Sequence, residues 1–184
     1  MSAPGGVFEI GALRTVAARA RTDLLGRSTL SFLEASGLLD DVGVVEIDPA
    51  LSDTAATQRA YDVPPSVLVN CVVVGGRREG VERFAACAVL ATTRADVNGK
   101  VRRFLDVRKA SFLETGRAVA LTGMEYGAIT PIGLPDPWPV LVDERVVRSD
   151  AVLLGSGVRH SKLVLEGALL ERVPHVEVVE DLGR

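Results

Sequence analysis

The residues best placed to do chemistry lie between Leu121 and Leu134, where the chain reads LTGMEYGAITPIGL. Gly123, Gly127 and Gly133 open backbone geometries closed to other residues and let a ligand approach the main chain. Pro131 fixes its own φ, lacks an N–H, and biases Thr130 toward extended backbone. A loop stiffened in this way can hold N–H and C=O groups at fixed positions around a polar ligand, the preorganisation that acyl transfer requires. The residues alone equally allow a long connection between a helix and a strand.

The side-chain templates offer no competing site. His160 and His175 belong to no HExxH or His-x-His pattern, and Cys71 and Cys87 have no partner at metal-ligand spacing. Neither a zinc nor a haem site is therefore expected, and the chain is read as working without a cofactor. The GSG at 155–157 puts its serine at a strand-to-turn position with no helix following, which fits a hairpin turn better than a nucleophile elbow. No glycine-rich loop is followed by Lys and Ser or Thr at Walker spacing, and no dinucleotide fingerprint occurs. Aromatic residues make up 4% of the chain, too few for the broad stacking platform of a single-strand binder.

With 184 residues, 47% of them hydrophobic and 24% charged, the chain has the size and mixture of a globular domain that needs no disulfide or metal to hold a core. A net charge of −3 and a pI near 5.5 argue against coating duplex DNA, because phosphate neutralisation supplies most of that affinity. The local basic groups are Arg77-Arg78, Lys100/Arg102/Arg103 and Arg108-Lys109, read as solvated faces and turn charges. Cys71 and Cys87 sit in apolar runs and read as buried free thiols of a reducing compartment. No charged region followed by an apolar one opens the chain, and no apolar run nears the roughly 20 residues of a membrane span. A cytoplasmic protein without membrane contact is the expectation.

The elements that must carry these residues can be drawn from pattern. Residues 1–7 are rich in Gly, Pro and Ser and read as a frayed start. Ser28 or Thr29 can cap a helix over 28–37 that Gly37 closes, and VGVVEID at 42–48 is a strand. Ser52 or Asp53 caps a helix through Ala60 that stops ahead of Pro64-Pro65. The centre is β-rich: SVLVNCVVVGG (66–76) and VERFAACAVLATT (81–93), joined by RREG, form an antiparallel hairpin buried on both faces near its middle. Asp96 caps a helix to about Phe104 despite Gly99. RKASF is a short strand, and Glu114 to Leu121 is a helix ended by Gly123 in a left-handed cap. Strands follow at 139–144, 150–157 and 161–167, then a helix over 167–172 and a strand over 175–181. Helices and strands mix without regular βαβ alternation, so the expected fold class is α+β.

In this setting Thr122-Gly123, then Gly127-Ala128-Ile129-Thr130-Pro131-Ile132-Gly133-Leu134, then Pro139-Val140-Leu141-Val142-Asp143 resemble the YbaK/prolyl-tRNA synthetase-associated domain family. The likeness takes in the strand pair at 66–91, the Asp96–Lys109 segment, GSG (155–157) and KLVL (162–165), roughly residues 50 to 181 in all. It implies a mixed, curled sheet forming a partly closed barrel with flanking helices. It also implies an editing domain over 50–184, with the helix and strand of residues 1–49 packed on its core in one continuous domain.

The resemblance further implies a trans-acting aminoacyl-tRNA deacylase, a hydrolase of translation fidelity. It would cleave the ester of a small mischarged amino acid at the tRNA CCA end. Gly127 and Pro131 would frame the ester pocket, with Gly127 and Asn70 at the catalytic positions. Thr122, Gly123, Thr130, Gly133, Asp143 and Lys162 complete the expected substrate-binding set. Hydrolysis in such domains relies on positioned water and the terminal ribose hydroxyl, in keeping with the missing triad and metal. Deacylases of the family carry a lysine on the central strand where this chain has Asn70. A second reading therefore keeps the fold and drops the chemistry, giving a binding module for tRNA ends, nucleotides or amino acids. A third, a structural or partner domain, follows from a mean hydropathy of +0.25. Amino-acid specificity, tRNA specificity and oligomeric state are not legible in the residues.

Overall fold

The computed structural model describes residues 6–184, so residues 1–5 of the expected frayed start lie outside the described residues. Strands β1 (Glu9–Ile10) and β2 (Leu13–Arg14) pair as a short antiparallel ribbon, and β3 (Val16–Ala17) leads into a 3-10 segment at Ala18–Leu24. Helix α1 (Arg27–Ser36) ends at Gly37, whose φ of 70° gives the left-handed cap expected of it. Its start differs from expectation. Gly26 holds the cap position, and Thr29 lies within the first turn, where its hydroxyl donates to the Ile132 carbonyl.

After β4 (Gly43–Glu46) and a 3-10 turn at Pro49–Leu51, helix α2 (Thr54–Tyr61) begins at Asp53, whose carboxylate accepts the Ala56 N–H. The central hairpin joins β5 (Val69–Arg78) to β6 (Val81–Leu90) through two residues of positive φ, Glu79 and Gly80. That geometry matches the twist of the flanking strands. Next, Asp96 caps a widened helical turn at Val97–Val101 that runs into α3 (Arg102–Phe104). Gly99 is what lets the cap close, since a Cβ there would lie 2.2 Å from the Asp96 carboxylate.

Strand β7 (Ala110–Phe112) is followed by α4 (Thr115–Thr122), capped by Glu114 and closed by Gly123 at φ 68°. The last elements are β8 (Val140–Asp143), α5 (Glu144–Val147), β9 (Val152–Gly155), β10 (Ser161–Leu165), a 3-10 turn at Gly167–Arg172 and β11 (Val176–Val179). Helix α5 was not foreseen. It starts because the Asp143 side chain caps the Arg145 N–H.

Strands order as β3-β4-β10-β9 in one sheet and β11-β8-β6-β5-β7 in another. The β6–β8 and β8–β11 pairs are parallel and the other pairs antiparallel. The fold is thus mixed α+β. The two sheets join at a parallel bridge between Leu68 and Leu153, and the described strands close no barrel. The central hairpin is covered on both faces: Ala86 and Ala88 pack into a core with Leu33, Leu154 and Leu165, while Val74, Cys87 and Val89 pack against Val101 and Leu141. Among the described residues no helix is long and apolar enough to cross a membrane.

Candidate functional site

Beyond the Leu68–Leu153 bridge, β5 and β9 part, and β7 pairs with β5 only from Val74 onward. The gap opens into a cavity of about 390 Å³. Its walls are Asn70 and Cys71 of β5, Lys162 of β10, Thr54 at the start of α2, Phe112, and the Tyr126–Gly127 turn after α4.

Lys162 is 6% exposed. Its ammonium donates to the Ser52 carbonyl at 2.6 Å and faces the Gly127 carbonyl at 3.4 Å. Burial lowers its pKa to about 8, the charge of Arg159 pushes the same way, and Asp53 opposes. The Gly127 carbonyl also accepts the Ser52 hydroxyl at 3.1 Å. Gly127 itself has φ 77°, and a Cβ there would meet the Arg159 guanidinium at 3.0 Å. Arg159 fixes the turn, donating to the carbonyls of Tyr126 and Pro49 at 2.8 Å each, while its own N–H donates to the Glu125 carboxylate at 2.6 Å.

Asn70 approaches from the opposite strand. Its carbonyl oxygen accepts the Thr54 hydroxyl at 2.6 Å. That contact leaves the amide NH₂ to supply neutral donors. Cys71, beside it, has its thiol pKa raised by burial, and Cys87 is pushed up to about 12 by the same cause.

Of the residues singled out from sequence, Asn70, Gly127 and Lys162 meet at this cavity. The others stand elsewhere. The Thr122 hydroxyl is buried and bonds the Ala118 carbonyl and the Met124 N–H, and Gly123 closes α4. Thr130 is buried with its hydroxyl unpartnered and its N–H on the Met124 sulfur at 3.4 Å. Pro131 and Gly133 line a smaller space of about 160 Å³ with Phe32, Trp138 and His175. Asp143 is buried at the end of β8, accepting from Arg145 at 2.8 Å and from the Gly183 N–H at 2.6 Å. Burial works against its charge, yet the bonds from Arg145 and Gly183 outweigh it and hold the carboxyl below the usual carboxylate range.

Ser52, Thr54 and Arg159 were not legible as site residues. Ser52 reads in sequence as a possible helix cap, and Arg159 as a turn charge. Only the fold brings them to Gly127 and Asn70.

The aminoacyl-tRNA editing domain family matches residues 48–173. The chain belongs to the aminoacyl-tRNA editing domain family. This assignment gives it an aminoacyl-tRNA editing role, and the matched span contains Asn70, Gly127 and Lys162. Among curated proteins none matches the chain. Among solved structures, a candidate trans-editing enzyme for prolyl tRNA synthetase is 21% identical with a TM-score of 0.70, covering 84% of this chain and 94% of that one. A hypothetical protein is 19% identical with a TM-score of 0.73, over 86% and 100% of the two chains. A scaffold from computational epitope backbone grafting is 21% identical with a TM-score of 0.71, over 84% and 95%. At these identities the likeness shows a shared editing-domain fold.

Proposed function

We propose that the chain is a trans-acting, cytoplasmic aminoacyl-tRNA deacylase that hydrolyses the ester of a small mischarged amino acid at the CCA end. The observation that carries the reading is the meeting of the Asn70 amide, the Gly127 turn and the buried Lys162 ammonium at one cavity. A volume of about 390 Å³ suits a small ligand and leaves the nucleotide at the mouth.

The chemistry needs no side-chain nucleophile. Water adds to the ester carbonyl carbon, and negative charge builds on the carbonyl oxygen. Lys162 uses two of its three N–H donors on Ser52 and Gly127, so one is left for that oxygen, and the Asn70 NH₂ supplies another. The intermediate then expels the ribose oxygen, which takes up the proton released by the water through the neighbouring ribose hydroxyl. Products are the free amino acid and uncharged tRNA. In this scheme Lys162 supplies, from β10, the cation that family deacylases carry at the position of Asn70.

The competing reading is a binding module that holds charged tRNA without turnover, favoured by Asn70 itself. The two separate when purified protein is incubated with a panel of mischarged tRNAs. Release of at least one small amino acid above background supports the deacylase. Tight binding without release of any of them supports the module.

A further inference from the structure

The second and third of the basic pairs noted in the sequence, which seemed unrelated turn charges, are neighbours of each other in the fold and of the cavity. Strands β5 and β7 pair with Gly76 opposite Ala110. The same register continued sets Lys109 opposite Arg77 and Arg108 opposite Arg78. Like charges placed across a strand pair are unfavourable unless an anion lies over them. Local carboxylates neutralise this group only in part. Arg77 reaches Glu82 at 3.4 Å with its side chain 71% exposed, and Arg78 reaches Asp106 at 3.0 Å. Arg108 and Lys109 form no ion pair among the described residues and stand exposed.

This basic surface is continuous with the cavity. Phe112 and Leu113 line both the ester cavity and an adjoining groove of about 360 Å³ that contains Arg77 and Lys109. Arg77 in turn lines a further groove with Arg78 and Arg108. At the joint, Phe112 is 57% exposed, an aromatic face beside the opening. From Val73 at the cavity to Arg78 the strand covers roughly 17 Å at about 3.3 Å per residue.

We propose that the unpaired 3′ end of a tRNA leaves the ester cavity past Phe112 and lies along a rail formed by Lys109, Arg77, Arg108 and Arg78. The cations take the backbone phosphates and Phe112 stacks one base, a chemistry that binds single-stranded ends without reading sequence. One aromatic at the joint suffices, so the low aromatic content is no obstacle. The proposal rests on the deacylase reading for the ester in the cavity, but its test does not.

The test is fluorescence anisotropy with a 5′-labelled, uncharged acceptor-stem minihelix ending in a single-stranded CCA, compared with the same helix made blunt, over a salt series. The expected result is at least tenfold tighter binding of the CCA-ended helix. The double variant Arg108→Glu/Lys109→Glu is expected to lose at least tenfold and to flatten the salt dependence by about one unit of slope, near the −0.7 per phosphate contact of a single strand. Phe112→Ala is expected to lose about threefold or more with the slope unchanged. Equal binding of the blunt helix, or a double variant that binds like wild type, overturns the proposal. Hydrolysis of a small aminoacyl-adenosine ester, measured in parallel, reads the cavity alone. It is expected to be unchanged in the double variant, so its absence in wild type counts against the deacylase and not against the rail.

Discussion

The Lys162 ammonium lies 3.4 Å from the carbonyl oxygen of Gly127, while the Ser52 carbonyl holds it at 2.6 Å from a different element. A cation fixed by carbonyls at the wall of a cavity is held without a carboxylate, so its charge stays available to a ligand. The cost of that arrangement is visible in its lowered pKa of about 8.

That pKa makes Lys162 a measurable term in stability. The folded-state value lies below the ordinary 10.5, so between about pH 8 and 10.5 the unfolded chain holds a proton that the folded one lacks. Stability contributed by this group therefore rises with pH across that window and is at its least below pH 8. Denaturant unfolding of wild type and Lys162→Met at pH 7.5 and pH 10 should show wild type gaining relative to the variant, by at most about 3 kcal/mol. A difference independent of pH means the lysine is not desolvated in the folded protein.

Gly127→Ala tests the turn. A φ of 77° is left-handed, and the added Cβ would meet the Arg159 guanidinium at 3.0 Å. The conformation costs a non-glycine residue about 1–2 kcal/mol. A loss of that size in unfolding free energy is expected, with deacylation reduced about tenfold because the Gly127 carbonyl no longer seats Lys162. Unchanged stability would mean the turn can relax.

Thr54→Val removes the hydroxyl that holds the Asn70 amide. The expected result is a loss of about 1 kcal/mol in stability, typical of one hydrogen bond, and a threefold to tenfold fall in kcat with KM little changed. Wild-type kcat in this variant would mean that Asn70 needs no fixed orientation.

Asp143→Ala separates scaffold from site. The carboxylate caps α5, pairs with Arg145 and accepts the Gly183 N–H, away from the main cavity. Its lowered pKa stabilises the fold above the ordinary carboxylate value, and this is lost as pH falls through the folded-state value. Removal is expected to cost about 2–4 kcal/mol, lowering Tm by about 5–12 °C and reducing the difference from wild type in acid. Deacylation by the folded fraction should stay at the wild-type level. A KM raised tenfold in fully folded variant would instead place Asp143 on the substrate.

Much of the fold was legible because its signals are local. Asp53, Asp96 and Glu114 each cap the helix expected of them, Gly37 and Gly123 close theirs, and the central hairpin turns at Glu79-Gly80. What stayed hidden depends on long-range pairing. The parallel β6–β8 register, the short helix after Asp143 and the approach of Ser52 and Arg159 to Gly127 have no local mark. The site divided in the same way. The glycine loop was visible as a loop, but Gly127 and Pro131 line different spaces because the chain turns between them. The cation at the cavity comes from β10, not from the strand that carries Asn70.

The account stands most directly on single-turnover deacylation of a small mischarged tRNA by wild type and by Lys162→Gln, compared at pH 7. Losing a charge-assisted contact in a desolvated site costs roughly 1.5–3 kcal/mol, so the rate should fall by about one to two decades. Asn70→Lys in the same background should recover part of it. A Lys162→Gln rate equal to wild type, with the protein folded, would contradict the claim that this lysine serves the ester.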